Sequence, residues 1–249
     1  RRQDLFEHKN ENFVGSFGTS VSPKLIASAK SSDLIVVLGA RLGEMTTQGY
    51  SIISPEDKSK SMVHIHVDPN ELNKVYNANV CVNVGVEECC DKLEDINLEN
   101  SRQWLRWRDK LRKNYVEDTK PLKNRNLNNL SRIFEIVDKK LPDNSIVTLD
   151  AGNNAAWPQR FLSYGENRRQ IASTCGAMGY AIPAAVSSAL LNPRVPVLCC
   201  VGDGGFMMSS QEISTAIHYE AKLIILLINN SSYGTIRMHQ ERDYPGRKI

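Results

Sequence analysis

The chain has 249 residues, of which 41% are hydrophobic, 24% charged and only 7% aromatic. This composition excludes a disordered tail, a collagen-like repeat and a small disulfide-stapled domain. At roughly 150 residues per domain, the length allows one or two domains that each bury a core. The formal net charge of +3 is too small to indicate a nucleic-acid or membrane-surface partner. No apolar run approaches the ~18 residues of a membrane span, so a cytoplasmic location is expected.

The cysteines indicate reduced thiols rather than a metal site or a disulfide framework. No two of them form a C-x-x-C pair; they are Cys81, Cys89, Cys90, Cys175, Cys199 and Cys200. The last two lie in the apolar run 197–201, where thiols behave as small buried hydrophobic side chains. Neither zinc nor a disulfide is therefore expected from the cysteines.

Residues 1–100 are predicted to contain a parallel sheet flanked by helices. Two β-branched runs, 33–38 and 62–67, are typical of strands because turn residues follow each of them. Helical patterns precede and follow these runs, at 23–30 and 70–76. Strands that alternate with helices favour a parallel sheet.

Residues 101–128 are strongly polar and are predicted to form a helical linker. Six basic residues between positions 102 and 113 interleave with Trp104 and Trp107. Such a stretch could bind nucleic acid, but the commoner arrangement is a surface helix that docks its tryptophans on a neighbouring domain. The second interpretation is favoured, and no nucleic-acid partner is expected.

Residues 129–249 show a second alternation of strands and helices. The strands are predicted at 145–149, 196–201 and 222–228, and the helices at 178–191 and 209–219. Residues 223–228 are apolar on both faces, which predicts a central strand of a parallel sheet. The predicted fold is therefore α/β, with two Rossmann-like parallel-sheet domains joined by the polar helical linker. In such sheets ligands bind beyond the carboxyl ends of the strands.

Glycine and polar residues follow two of these strands, where a ligand would bind. Gly202-Asp203-Gly204-Gly205 follows one strand, and Asn229-Asn230 follows the next, with Asn230 27 residues after Asp203. A lone Gly-Asp-Gly is usually a tight turn, but the asparagine pair at one strand–helix–strand distance makes the signal more specific. Carboxylate and amide oxygens at neighbouring strand ends suit Mg²⁺, which takes its remaining ligands from phosphate and water. Ser209, with Glu212 three residues later, fits a capping box that would start the following helix.

From Gly202 to Asn230 the sequence resembles the thiamin diphosphate motif of the acetohydroxyacid synthases and pyruvate-decarboxylase-type enzymes. The resemblance covers essentially the whole chain and is strongest to acetolactate-synthase-like large subunits. It implies that residues 1–100 are the C-terminal part of the family's middle domain and 101–128 a linker. Residues 129–249 would be the thiamin diphosphate-binding domain, truncated at its C-terminus. Both ends of the chain are accordingly expected to be cuts through a longer protein.

The resemblance implies a set of cofactor-binding residues in the second domain. Three oxygen donors match the Mg²⁺ ligands, namely those of Asp203, Asn230 and the main-chain carbonyl of Ser232. The residues that would contact the diphosphate are Asn153, Asn154, Gly202, Gly204, Gly205, Gly234 and Thr235. Gly176 and Met178 match the segment that holds the aminopyrimidine ring, where the methionine side chain supports the bent cofactor. Two alternatives remain open, since Met178 could be ordinary core packing and residues 152–154 a strand-end turn.

The implied activity is that of a thiamin diphosphate- and Mg²⁺-dependent carboligase. Such an enzyme decarboxylates pyruvate and transfers the two-carbon unit to a second 2-keto acid. Pyruvate decarboxylases carry a proton-relay glutamate where this chain has Ile236, and an apolar residue there favours carboligation over aldehyde release. A second interpretation is another 2-keto-acid or acyl-CoA decarboxylase of the same superfamily. A third is a non-catalytic nucleotide-binding or regulatory protein built on Rossmann-like domains.

Three departures from the family pattern limit what can be assigned. The activating glutamate of the family lies in an N-terminal domain outside this sequence, so no catalytic residue is assigned. Because the partner subunit supplies that domain in the family, the full-length protein is expected to be a homodimer or homotetramer. Residues 153–156 (Asn-Asn-Ala-Ala) replace the family's Gln-His-Gln-Met, so part of the pocket wall differs. Residues 39–41 and 66–68 fall where synthases hold FAD, but residues 42–45 depart from the usual acidic pattern, which weakens the case for FAD.

Overall fold

The computed structural model describes residues 2–18, 20–96, 102–123 and 129–247. Its contacts divide the chain into two compact units. The N-terminal unit is Val14–Asp118, and the C-terminal unit is Thr119–Ile249 together with Arg1–Phe13. Each unit contains one parallel sheet with helices, which confirms the predicted α/β class. This division differs from the boundaries expected at residues 100 and 128, because contacts assign the polar helix to the N-terminal unit and the first residues to the C-terminal unit.

The N-terminal unit is built on a three-stranded sheet. β1 (Leu34–Leu38) pairs in parallel with β2 (Ser61–Ile65), and β2 pairs in parallel with β3 (Val80–Val82). The helices are α1 (Pro23–Ser31), α2 (Glu44–Thr47), α3 (Val86–Glu94) and α4 (Arg102–Asp118). α1 begins at a proline because Ser22 caps it, the hydroxyl accepting the Lys24 N–H at 3.2 Å.

Three features of the N-terminal unit differ from prediction. The helix expected at 70–76 is a single 3₁₀ turn, Pro69–Glu71, because Asp68 caps the turn and Asn73 has a φ of +56° that no α-helix accepts. β3 was not predicted, since three residues carry too little alternation to mark a strand. Trp104 and Trp107 are 58% and 46% exposed, so the described part of the structure does not show the predicted docking of these side chains.

The C-terminal unit has a four-stranded parallel sheet in the order β5-β4-β6-β7. Its strands are β4 (Ile146–Leu149), β5 (Arg169–Ala172), β6 (Val197–Gly202) and β7 (Ile224–Ile228). Its helices are α5 (Leu130–Lys140), α6 (Ala156–Phe161), α7 (Ala181–Leu191), α8 (Asp203–Ser209), α9 (Glu212–His218) and α10 (Gly234–Asp243). Two apolar clusters cover the sheet, one built on α7 and the other around Phe134 and Tyr164. The central strands β4 and β6 are therefore buried on both faces, as parallel strands usually are.

The first residues of the chain pack on this second sheet. The His8 N–H donates to the Tyr164 carbonyl at 2.9 Å, and the His8 ring stacks on Phe13 with centroids 3.9 Å apart. Asp4 is only 3% exposed and pairs with Arg169 of β5 at 3.0 Å. These contacts explain why residues 2–13 belong to the C-terminal unit.

Three predictions for the C-terminal unit are also corrected, and one strand was missed. Residues 223–228 form an edge strand of the described sheet, and Ile224 is 64% exposed, so their apolar character does not mark a central position. The capping box at Ser209 is wrong, because α8 starts directly after β6 and ends at Ser209, and α9 starts separately after Gln211. β5 was missed, and α7 begins at Ala181 rather than 178 because Gly179 has a φ of +81°.

All six cysteines are free thiols. Burial in β6 raises the pKa of Cys199 to about 11 and also raises the pKa of Cys200. Both thiols are therefore neutral at pH 7 and act as packing groups. No helix within the described ranges is both long and apolar enough to cross a membrane.

Candidate functional site

A cavity of about 160 Å³ lies at the carboxyl ends of β4, β6 and β7. Loops and helix starts that follow these three strands form its wall. The lining includes every predicted site residue except Gly176, that is, Asn153, Asn154, Met178, Gly202, Asp203, Gly204, Gly205, Asn230, Ser232, Gly234 and Thr235. Gly176 is exposed and does not belong to the described lining. One strand–helix–strand passage thus brings Asp203 and Asn230 to the same cavity, as their spacing predicts.

The glycines after β6 are required by close contacts. A Cβ on Gly204 would lie 2.7 Å from the Tyr233 ring and 3.0 Å from the Met178 methyl carbon. A Cβ on Gly205 would lie 2.8 Å from the carboxyl carbon of Asp150. Main chain therefore forms this side of the cavity, where a ligand can approach the backbone closely.

Three oxygen donors converge from β6 and from the loop after β7. The Asp203 carboxylate has no hydrogen-bond or ion-pair partner among the described residues. Asn230 Oδ1 accepts the Ser232 N–H at 3.2 Å, and the Ser232 carbonyl accepts the Gly234 N–H at 2.8 Å. Tyr233 has φ −74° and ψ 68°, so the last bond closes an inverse γ-turn. An amide or carbonyl oxygen carries two lone pairs, and both of these keep one for a hard cation.

The loop after β4 is tied to the start of α10. Thr235 Oγ1 accepts the Asn153 N–H at 2.9 Å and donates to Asn153 Oδ1 at 3.0 Å. The neighbouring Asn154 Nδ2 is buried and has no hydrogen-bond partner among the described residues. An unsatisfied buried donor is costly, so this amide group of a cavity-lining residue calls for a partner.

Asp150, directly after β4, was not predicted as a site residue. Its side chain is buried, with 4% of the residue exposed, and it accepts main-chain N–H groups of Ala151, Gly179 and Ala181. Burial raises the pKa of this carboxyl group, although the three N–H donors act in the opposite direction. Its position at the end of a predicted strand was the one available sequence signal. Tyr233, which lies against Gly204, was also missed.

The loops after β1 and β2 in the N-terminal unit are held by their own hydrogen bonds. His64 Nε2 lies 2.9 Å from the Ala40 carbonyl oxygen, and Asn83 Nδ2 donates to the carbonyls of His66 and Val67. These loops contain the segments 39–41 and 66–68 that the sequence relates to FAD. These bonds lie within the N-terminal unit and tie the loops to neighbouring parts of its chain.

A known protein domain matches most of each unit. The C-terminal TPP-binding domain of the thiamine pyrophosphate enzymes matches residues 150–249, and the central domain of the same enzymes matches residues 1–93. The two matches follow each other in the chain in the order that the sequence predicts. The chain therefore matches the central and the C-terminal TPP-binding domains of the thiamine pyrophosphate enzymes.

Curated proteins similar to the chain include acetolactate synthases. The chain is 28% identical to a probable acetolactate synthase large subunit of Methanocaldococcus jannaschii, over 94% of this chain and 40% of that protein. It is 29% identical to the acetolactate synthase isozyme 1 large subunit of Escherichia coli, over 86% of this chain and 38% of that protein. An acetolactate synthase of Mycobacterium leprae is 28% identical over 96% of the chain and 39% of its own length. The chain thus spans about 40% of the length of the curated relatives it matches.

Proposed function

We propose that this chain is the thiamin diphosphate- and Mg²⁺-binding portion of a 2-keto-acid carboligase that resembles acetolactate synthase. The observation that carries the proposal is the cavity at the carboxyl ends of β4, β6 and β7, where Asp203, Asn230 and Ser232 meet a wall of glycine main chain. Its donor set consists of one carboxylate, one amide oxygen and one carbonyl. Such a set suits Mg²⁺ held together with a phosphate group.

The residues present fit this cofactor in three respects. The three oxygens are hard ligands, and among the described residues the Asp203 carboxylate has no partner that it would have to leave. The cradle at Gly204 and Gly205 would be filled by a Cβ, so it suits a ligand that contacts main chain. The buried Asn154 Nδ2 lacks a partner among the described residues and would donate to a diphosphate oxygen.

Bound thiamin diphosphate would supply the electron sink for decarboxylation of a 2-keto acid. The chain's own residues would bind and orient it. Asp203, Asn230 and the Ser232 carbonyl would hold the metal and, through it, the diphosphate. Met178 lines the cavity, and its methyl group lies beside Gly204, which supports a role in holding the organic part of the cofactor.

Ile236 supports carboligation over simple aldehyde release. This residue lines the cavity at the start of α10 and is 51% exposed. Its apolar side chain offers no proton at a place where an intermediate would have to be protonated to leave as an aldehyde. The proposed substrates are accordingly pyruvate and a second small 2-keto acid.

We also infer that the full-length protein is a homodimer or a homotetramer. α8 exposes two large apolar side chains, Met207 at 74% and Met208 at 50%, although the helix starts at the cavity. Exposed apolar groups next to a binding site are typical of subunit contacts. FAD binding and the cytoplasmic location stay predictions from the sequence.

Calorimetric titration tests the proposal. The purified chain is expected to bind thiamin diphosphate only with Mg²⁺ present and to show no binding of NAD. Asp203→Ala removes the only charged metal ligand and is expected to abolish metal-dependent binding while leaving the fold intact, because the side chain is not in the core. Asp91→Ala, at an exposed position of α3, is the matched control and should bind normally. Undiminished binding by Asp203→Ala, or equal binding of NAD, would contradict the proposal.

A further inference from the structure

The carboxylate of Asp150 ties the end of β4 to the segment 179–181, which leads into α7. Oδ1 accepts the Ala151 N–H at 2.7 Å, and both oxygens accept the Gly179 N–H at 3.0 Å. Oδ2 also accepts the N–H of Ala181 at 3.3 Å, the first residue of α7. That N–H has no acceptor within its own helix, and a carboxylate there also interacts favourably with the helix dipole.

Each segment that Asp150 holds contributes to the cavity wall. Ala151 lines the cavity and donates to the carboxylate, and Gly205 lines the cavity and lies against the carboxyl group. Met178 lines the cavity and precedes Gly179, whose N–H the carboxylate holds. One buried side chain thus holds two parts of the wall through hydrogen bonds, at Ala151 and at Gly179, and packs against a third at Gly205.

The bond to Gly179 has a specific effect on Met178. The Gly179 N–H and the Met178 carbonyl belong to the same planar peptide group, so fixing the N–H also fixes the direction of the carbonyl. Gly179 has a φ of +81°, which only a glycine adopts readily, and its packing against Met208 fixes its other side. Met178 is therefore held through its backbone rather than through side-chain packing alone.

We propose that Asp150 is a positioning residue of the cofactor site, which holds the Met178–Gly179 peptide and the start of α7 in the arrangement that the organic part of thiamin diphosphate requires. The inference rests on the proposed function, since it concerns the same cavity. The inference goes beyond the proposed function because it assigns a role to a residue that does not line the cavity. The metal-binding residues of the loop after β7 are held by other contacts, and Gly205 on α8 packs against the Asp150 carboxyl group without a hydrogen bond to it among the described residues.

Asp150→Asn is the most informative variant because it keeps the size of the side chain. Both carboxylate oxygens accept the Gly179 N–H, so either orientation of the new amide sets an NH₂ group against that N–H. The Met178–Gly179 peptide is expected to rotate or shift in response. The asparagine side chain is no larger than the aspartate that packs against Gly205. The proposed diphosphate-binding residues on α8 should therefore stay in place.

The experiment compares two ligands on the whole chain. Thiamin diphosphate reports on the complete cavity, and inorganic pyrophosphate reports on the metal and diphosphate side alone, each titrated with saturating Mg²⁺. Asp150→Asn is expected to weaken thiamin diphosphate binding by roughly 10- to 100-fold, the effect of losing one buried charged hydrogen-bond acceptor. Pyrophosphate binding is expected to change by less than about 2-fold. In parallel, hydrogen exchange of the Gly179 amide should become faster in the variant.

A matched control is Asp138→Asn, which removes a carboxylate from the same unit. Asp138 pairs with Arg168 and accepts the Ser163 N–H at 2.8 Å, away from the cavity lining. This variant is expected to lower thermal stability without changing either affinity at a temperature where the protein is folded. If Asp150→Asn does not fold, Asp150→Ser, which keeps one acceptor oxygen, replaces it. This variant should likewise lose more affinity for thiamin diphosphate than for pyrophosphate.

The outcomes separate this inference from the proposed function. The unaltered chain and Asp150→Asn could bind pyrophosphate and thiamin diphosphate with the same affinities in the presence of Mg²⁺. In that case the positioning role is wrong and the proposed function stands. Equal losses for both ligands would show a structural role only and would also overturn the inference. If the unaltered chain binds no thiamin diphosphate, the proposed function fails and this inference fails with it.

Discussion

Gly205→Ala is expected to destabilise the C-terminal unit through the Asp150 carboxylate. The new Cβ would lie 2.8 Å from the carboxyl carbon and 2.9 Å from both oxygens, whereas unstrained carbon contacts are about 3.5–4.0 Å. The carboxylate has little freedom to move, because it is buried and holds three N–H groups. Either those bonds weaken or α8 shifts away from β4.

The magnitude follows from two opposing effects. Overpacking of a buried site costs about 1–3 kcal/mol, and replacing glycine by alanine inside a helix returns up to about 1 kcal/mol. The expected net loss in the free energy of unfolding is therefore about 1–2 kcal/mol. For a chain of this size, that corresponds to a fall of roughly 2–8 °C in the midpoint of thermal unfolding.

Thiol labelling measures the loss of stability of the C-terminal unit separately from the N-terminal unit. Cys199 and Cys200 are completely buried in β6, so they react with an alkylating reagent only when the C-terminal unit opens. Peptide mass spectrometry distinguishes them from Cys81, Cys89 and Cys90 of the N-terminal unit. Labelling across a denaturant series then gives the stability of the C-terminal unit by itself.

Gly204→Ala is the matched control. Its Cβ would meet the ring of Tyr233, which is 53% exposed and can swing outward, and the end of the flexible Met178 side chain. We expect almost unchanged stability for Gly204→Ala but weakened cofactor binding, because the methyl group and the displaced ring occupy the cavity. If Gly205→Ala labels Cys199 and Cys200 at the same denaturant concentration as the unaltered chain, the reasoning about the held carboxylate is refuted.

Two further predictions concern the same site. In the full-length protein, Met178→Ala is expected to reduce turnover more than affinity for thiamin diphosphate, since the proposed anchoring residues are Asp203 and Asn230. Steady-state kinetics with cofactor titration checks this, and a change in stability alone would favour simple packing. The raised pKa of Asp150 predicts that the unaltered chain loses stability relative to Asp150→Asn as pH rises from about 3.8 through the folded-state pKa. A raised pKa means that folding favours the protonated carboxyl group, so the stability that Asp150 contributes is fully present only below that pH range. Denaturation of both proteins at several pH values measures the difference in their free energies of unfolding. A difference that stays constant from pH 3.5 to 7 would contradict the prediction.

The sequence by itself determined the class of fold and most of the candidate site. Short β-branched runs bounded by turns located five of the seven strands of the described residues, because a buried parallel strand needs a continuous apolar run. The spacing between Asp203 and Asn230 was sufficient to bring them together, since parallel strands end at the same edge of the sheet. Glycines after β6 marked the place where a ligand can reach the backbone.

Only the tertiary structure decided which elements are neighbours and which side chains they leave exposed. The apolar run of β7 looks like a central strand, but its place in the sheet depends on pairing with β6 alone among the described residues. Residues 2–13 belong to the C-terminal unit through contacts with residues more than 150 positions away, which no local pattern encodes. The role of Asp150 likewise depends on contacts that no local sequence pattern encodes. Its role depends on N–H groups about 30 residues further along the chain, and these meet one carboxylate only after β4, α7 and α8 have packed together.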